Sequence, residues 1–458
     1  MHAQERFTKA TKDTIADKEY RQKMGLVLDN LASNQQKGTM VFSNLALAKQ
    51  RAAYTKWKVA ENLDKYLLDF EGSVIRKGGK VIWANDAQNA LTEIDAIIKR
   101  TQATKIVKSR SELSHEIGLV QHLRKMSVKV AETGFGDYLI DLMGEKPFHS
   151  VLPALNQSAT AVGAILNKKI KSSLDANQEE IASDIRAEIR NSFFEADIGI
   201  TGANFLIADS GMVAITENEG NERLSFAFAK THIILASIDK VLPSISDLEL
   251  FFSLFSTHAL GQQLATYNTV TGPSLKDEKE GPSEFIVILI DNGRSNLLAT
   301  QDQRQALSCI KCGACSNVCP VFKIVGGHAN YQSYGSGPIG QIVAPLQQGF
   351  QEFQYLGNLS TICGKCTDVC PVNIDLHNHL LRNRHENLFQ GFEKTGEKLA
   401  WYTWKKFMLS RKTMNRPASI KNFTFRQFYK NDWGESREFP KIAEKSFNQL
   451  WREKNGLK

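Results

Sequence analysis

Leucines at Leu26, Leu28, Leu31, Leu45 and Leu47 recur among polar residues near the start of the chain, and no proline interrupts it before Pro147. Apolar positions at such spacings, with no helix breaker between them, predict helix. Residues 1–71 are therefore expected to form an all-helical lead-in. From residue 72 the period changes. Short β-branched runs at 80–84 and 105–108 flank a stretch of helical periodicity, and similar runs follow at 127–131, 205–208, 212–216 and 231–236. The strongest run, 284–290, lies between Gly281-Pro282 and Asp291-Asn292-Gly293. Turn formers on both sides of an uninterrupted apolar run indicate a strand buried on both faces. Strand and helix in alternation favour an α/β layer around one partly parallel sheet, placed here at 72–297.

After Arg294 the β signal fades. A cysteine-bearing segment at 298–392 contains the Gly-rich connector Gly326-Gly327-His328 to Gly340, and a helical tail occupies 393–458. In the tail Trp401, Tyr402, Trp404 and Phe407 are spaced for one helical face, and core packing is expected of them. The 458 residues suit two to four domains, and 42% hydrophobic with 23% charged residues is a globular balance that excludes disordered and fibrous classes. The polar N-terminus lacks a secretory apolar run and no stretch approaches the ~18 apolar residues of a membrane span, so a cytoplasmic location is expected. Net charge is +8, yet residues 398–458 hold fifteen Lys/Arg against five Asp/Glu, a local +10 that leaves the remainder slightly acidic. Such a tail is either a solvated helical surface or a face for a membrane surface or an acidic partner; nucleic acid is not expected.

Every cysteine lies between 309 and 370, so no disulfide framework can hold the larger part of the chain. Cys309-x2-Cys312-x2-Cys315-x3-Cys319-Pro320 has the spacing of the bacterial four-iron run, whose fourth cysteine ligates the other cluster when two are present. Cys363-x2-Cys366-x3-Cys370-Pro371 repeats the pattern without its first cysteine, where Ser360 stands. The crossover assigns Cys309, Cys312, Cys315 and Cys370 to one [4Fe–4S] cluster and Cys319, Cys363 and Cys366 to a second that is one thiolate short. A three-iron cluster, a hydroxide or Ser360 oxygen, His328, His377 or His379, or a partner's ligand would each answer that gap. Zinc fits less well, because an odd seven sulfurs at x2, x2, x3 spacings do not divide into tetrahedral sites. The long interval between Cys319 and Cys363 resembles the α-helical ferredoxin domain of succinate dehydrogenase iron–sulfur subunits and heterodisulfide reductases, entered by a helix at 303–307.

Two further features carry polar chemistry. Gly199-x2-Gly202-x-Asn204 has the composition of an anion-binding backbone nest or of a plain turn. The run Glu217-Asn218-Glu219-Gly220-Asn221 follows a strand, where α/β sheets place ligand loops, and equally suits a structural turn. Gly202, Asn204, Glu217, Asn218 and Glu219 are thus the candidate ligand loops of the α/β layer. No dinucleotide fingerprint or phosphate loop is present. His149 and His232 lie in apolar surroundings and are expected to be hydrogen-bonded core residues.

The block from Cys309 to Val321, with Gly326-Gly327-His328 and Gly337-Pro338-Ile339-Gly340, resembles the lactate utilisation protein B family. So do Gly199–Phe205, Glu217–Asn221 and the stretch from Gly272-Pro273 to Arg294. The resemblance implies a NagB/RpiA/CoA-transferase-like α/β domain joined to a two-cluster ferredoxin domain. It also implies partner subunits A and C, with which the family oxidises L-lactate to pyruvate, electrons passing through the clusters to an unidentified acceptor. In that family the second motif also begins with Ser, as Ser360 does here, whereas Glu132–Asp137 and Asn156 depart from its pattern. No catalytic residue is assigned on this reading; the rival expectation is that the α/β domain itself acts on a small hydroxy acid.

Overall fold

The computed structural model describes residues 3–457 apart from 175, 276–277, 279, 328–336, 392–394 and 434–439. His328 and most of the connector after it therefore lie outside the described residues. The chain forms two compact units, Met1–His385 and Glu386–Lys458. The helical lead-in, the sheet and the cysteine segment all belong to the first.

Ten strands occur among the described residues: β1 Lys80–Ala84, β2 Lys105–Lys108, β3 Lys129–Glu132, β4 Ile198–Gly202, β5 Phe205–Ile207, β6 Met212–Glu217, β7 Thr231–Ser237, β8 Val241–Leu242, β9 Tyr267–Thr271 and β10 Glu284–Ile290. Six form a wholly parallel sheet in the order β1-β10-β7-β4-β2-β3. Its central strand explains its own composition. Along β10, Ile286, Ile288 and Ile290 enter a core with Ile94, Ile97 and Ile98 of the helix Ala87–Thr101. The alternate residues Phe285, Val287 and Leu289 enter a second core with Leu67, Phe70 and Val74 of the helix Leu63–Arg76. Both faces are covered, so a polar residue at either parity would lose its water, and each buried aliphatic contributes about 1.5–3 kcal/mol. Local chemistry sets where these helices begin: the Asp86 carboxylate accepts the Asn89 N–H at 2.8 Å and caps the first of them.

The single sheet expected from the sequence is corrected to two. β5 and β6, with β8 and β9, form a separate mixed sheet in the order β8-β5-β6-β9. Its two faces serve different cores. Leu206, Val213 and Ile215 point into the core behind the parallel sheet, whereas Phe205, Ile207 and Ala214 join Phe251 and Leu254 in the core that contains Cys312, Cys366 and Cys370. The small sheet is thus the joint between the α/β layer and the cysteine segment.

A second correction concerns Gly199-x2-Gly202, which is neither nest nor turn but strand β4, fully buried between β2 and β7. Gly199 is required by close approach: a Cβ there would fall 1.9 Å from the Ser225 carbonyl oxygen. In the second unit, Trp404 packs on Phe425 at 5.3 Å, but Trp401 and Tyr402 are 58% and 56% exposed, contrary to the core packing expected of them. A unit of this size has too little interior to bury every aromatic on a helix.

His232 is a buried core residue, as its surroundings suggested. Its Nε2 meets Thr201 Oγ1 at 2.8 Å, and its ring stacks on Phe226 with 4.5 Å between centroids. Burial lowers its pKa to about 3, and burial likewise lowers that of His258 to about 4. Unfolded, each ring binds a proton near pH 6.5; folded, it does not. Stability is therefore complete above about pH 6.5 and declines as pH falls from there toward 4. The urea midpoint is expected to drop over that window, each ring contributing a slope of about 1.4 kcal/mol per pH unit. His232→Gln keeps a partner for Thr201 and should flatten the decline; an unchanged slope in that variant refutes the assignment.

Candidate cluster site

A short 3-10 turn, Arg304–Ser308, delivers the chain to Cys309. The two motifs then follow the same backbone path. Lys311 and Gly313 take left-handed φ of 62° and 75°, and Ile362 and Gly364, in the same register, take 54° and 81°. A one-turn helix follows each, Ala314–Asn317 and Lys365–Asp368. Glycine suits the second of these positions because a Cβ there is strained, and at Gly313 one would also meet His149 Cε1 at 2.8 Å. The loops close on equivalent hydrogen bonds. The Lys311 N–H donates to Cys309 Sγ at 3.4 Å, and the Ile362 N–H donates to Ser360 Oγ at 3.1 Å. Ser360 thus holds in the second loop the place that the Cys309 sulfur holds in the first.

Tertiary folding brings Cys309, Cys312, Cys315 and Cys370 around one small cavity whose other walls include Ile310, Ile339, Val372 and Leu376. Burial pushes all four thiols upward, Cys370 to about 11. Cys319 and Cys366 are buried, and Cys363 is exposed. Burial, followed by the neighbouring Cys319 and Cys363, pushes Cys366 to about 12. Backbone N–H groups donate to sulfur again at the end of each motif, Phe322 to Cys319 at 3.5 Å and Ile374 to Cys370 at 3.3 Å. Of the histidines considered beside the second group, His377 Nδ1 lies 2.8 Å from Thr367 Oγ1 and His379 Nε2 lies 3.1 Å from Gln305 Oε1. Among the described residues no group of three His, Cys, Asp or Glu side chains is placed to hold a single metal ion. Four sulfurs around a cavity, with amide N–H groups aimed at them, fit a larger inorganic cluster.

A cavity of about 620 Å³ opens beside this pocket. It lies at the C-terminal ends of the parallel strands, between Gly202 of β4, Ser237 of β7, Ser111 and Gly134 just beyond β2 and β3, and Arg294 beyond β10. Gly202, Asn204, Glu217, Asn218 and Glu219 all line it. Their polar atoms are largely engaged in building its walls. Glu217 accepts the Glu222 and Arg223 N–H groups at 2.8 and 3.1 Å, capping the helix Asn221–Ala227, and Glu219 accepts the Phe135 N–H at 2.9 Å. Asn204 accepts from Thr216 N–H, while Asn218 accepts from Thr266 N–H and donates to Gln262. Sequence reasoning missed Glu222, whose carboxyl burial holds well above the usual range, and Lys240, whose amine burial pushes down. Neither sits in a recognisable motif. Ser150 and Lys311 line both this cavity and the four-cysteine pocket, so the two share a wall.

The comparisons with known proteins agree with this layout. The LUD domain model matches residues 68–290, the span of the sheets, and a 4Fe-4S dicluster domain model matches residues 305–374, which hold all seven cysteines. Lactate utilization protein B of Bacillus thuringiensis (strain Al Hakam) is 32% identical over 463 residues, 98% of each chain. The protein of that name from Bacillus cereus (strain AH187) matches to the same extent. The chain belongs to the lactate utilization protein B family. Membership indicates a role in lactate utilisation, and the dicluster match indicates iron–sulfur clusters. A crystal structure of a DUF162 family protein from Deinococcus radiodurans aligns with 50% of this chain and 98% of its own at 12% identity and a TM-score of 0.29. Among the described residues no helix is long and apolar enough to cross a membrane.

One buried network anchors the cavity floor. Arg294, 1% exposed, donates to Glu116 at 2.9 and 3.0 Å and to Asp239 at 2.9 Å. Arg294→Met would leave two buried carboxylates without their shared cation and is expected to cost about 3–5 kcal/mol, read as a lower urea midpoint. A loss under 1 kcal/mol would mean that the network relaxes to solvent.

Proposed function

We propose that this chain is the iron–sulfur electron-transfer subunit of an assembly that oxidises L-lactate to pyruvate, relaying electrons through two [4Fe–4S] clusters. The observation that carries the reading is the convergence of Cys370 with Cys309, Cys312 and Cys315 on one pocket, although Cys370 stands 55 positions after Cys315 in the chain. Cys319, Cys363 and Cys366 hold the second cluster, with the Ser360 hydroxyl in the register of the missing thiolate. A three-iron form at that position is the variant reading. When bound, the clusters accept and release single electrons, and oxidation of a hydroxy acid to an oxo acid releases two electrons and two protons. The chain's own residues supply thiolates, backbone N–H groups toward sulfur and a dry, apolar shell, the features that set cluster potential.

The proposal includes subunits A and C as partners, an acceptor not yet identified and a cytoplasmic location. The basic, partly aromatic tail is the face offered to a membrane surface or an acidic partner. It also takes the layer at 72–297 as a NagB/RpiA/CoA-transferase-like domain and 298–392 as an α-helical ferredoxin domain. The second reading, in which the α/β cavity is itself the site of oxidation, draws support from the wall it shares with the first-cluster pocket. Anaerobic reduction by L-lactate separates the two. Cluster-loaded chain alone should stay oxidised, and electron paramagnetic resonance signals should grow only when subunits A and C are added; turnover by the chain alone would overturn the relay. Ser360→Cys restores the full four-thiolate set and is expected to raise iron retention after air exposure several-fold. Unchanged iron loss would remove Ser360 from the ligand position.

A further inference from the structure

One helix of the N-terminal lead-in reaches the four-cysteine pocket. It spans Leu45–Glu61 and starts where Asn44 Oδ1 accepts the Leu47 N–H at 2.9 Å. Ala48 and Ala52 of this helix enter the core that contains Cys312, Cys366 and Cys370. Lys49, next to Ala48, is carried to the same place. Its Nζ donates to the Asp368 carbonyl oxygen at 2.7 Å, although the two residues are 319 positions apart in the chain. Asp368 ends the one-turn helix of the second motif and stands two positions before Cys370. A lysine on the last carbonyl of a helix is a familiar cap; here the cap also places an ammonium beside sulfur.

The other lysines near this pocket are answered by carboxylates. Lys56, from the same helix, donates to the Asp239 carbonyl oxygen at 2.5 Å, and the opposite charge it feels most is the Asp239 carboxylate. Lys240 also feels Asp239 most, and Lys311 Nζ lies 3.5 Å from Glu112. Lys49 differs. The negative charge it feels most is Cys370, followed by the carboxylate of the exposed Asp368 and by Cys312. Burial pushes Cys370 up to about 11, and the Lys49 charge acts against that rise. Burial also pulls Lys49 downward, because its half-buried ammonium has lost part of its water.

We infer that Lys49 raises the reduction potential of the first cluster, its ammonium standing beside Cys370 to stabilise the electron that the cluster takes up. The inference rests on the reading that Cys309, Cys312, Cys315 and Cys370 hold a cluster. Reduction adds one negative charge to the iron–sulfur core and its four thiolates. A fixed positive charge in the same water-poor surroundings attracts the reduced state more strongly than the oxidised one, so the midpoint rises. Lys49 acts through this charge and is not itself a ligand.

The test uses the full chain, cluster-loaded and anaerobic, titrated with dithionite as reductant and followed by electron paramagnetic resonance. Lys49→Gln keeps an N–H donor for the Asp368 carbonyl and removes the charge, Lys49→Met removes both, and Lys49→Arg keeps both. In the Gln and Met variants the reduction equilibrium of one cluster should weaken about tenfold, a fall of 59 mV for one electron, while that of the other changes less than about threefold. Lys49→Arg should hold the wild-type midpoint. Midpoints unmoved in every variant, or both clusters shifted alike, overturn the inference. A Gln variant that behaves as wild type while Met falls assigns the effect to the hydrogen bond and overturns it too. If both neutral variants lose iron and Lys49→Arg keeps it, the charge is needed for the thiolates to assemble and the assignment stands; iron loss in all three makes Lys49 a packing residue and overturns it. Iron and sulfide analysis of the unaltered chain separates the two readings. Finding no cluster removes the cluster reading, whereas two clusters with unmoved midpoints sink the tuning role alone.

Discussion

Taking a thiol out of water disfavours its thiolate form, and this fold does so at six of its seven cysteines, all but Cys363 being buried or half-buried. Burial raises Cys312, Cys315 and Cys370 together at one cavity, so that pocket is a poor place for free thiolates and a suitable one for thiolates neutralised by iron. The surrounding architecture follows from that constraint. Two segments far apart in the chain must be held against each other, their amide N–H groups must point at sulfur, and water must be kept away.

The small mixed sheet makes this possible. β5 presents Leu206 to the core of the parallel sheet and Phe205 and Ile207 to the core that contains the cysteines. The period of two along a strand thereby joins two hydrophobic cores into one unit. The same joint brings the C-terminal ends of the parallel strands, where α/β folds bind ligands, next to Lys311 between the first two cysteines. The cavity and the four-cysteine pocket are neighbours through the wall of Ser150 and Lys311 that they share.

Repetition gives the cluster segment its geometry. Cys309–Asn317 and Ser360–Asp368 share paired left-handed residues, a one-turn helix and a backbone N–H directed to the first side chain of the motif. Where one repeat has sulfur the other has a hydroxyl, and it lies beside the exposed Cys363. The two halves are therefore alike in backbone and unlike in their first side chain and in solvent access.

Cysteine spacing, the run at 284–290 and the turn formers around it were legible without a structure, because ligand geometry and burial on both faces leave direct marks on residue order. The loop at 217–219 was also legible as cavity lining, though its carboxylates turned out to cap backbone N–H groups. What the chain could not declare in one dimension is anything decided by contacts across it. Gly199 reads as a turn residue until the Ser225 carbonyl oxygen is found against it; β5 and β6 read as members of one sheet until their partners are known. Local chemistry writes itself into neighbouring residues, whereas close approach and the division into two sheets arise only when distant segments meet, and those meetings position the cavity beside the four cysteines.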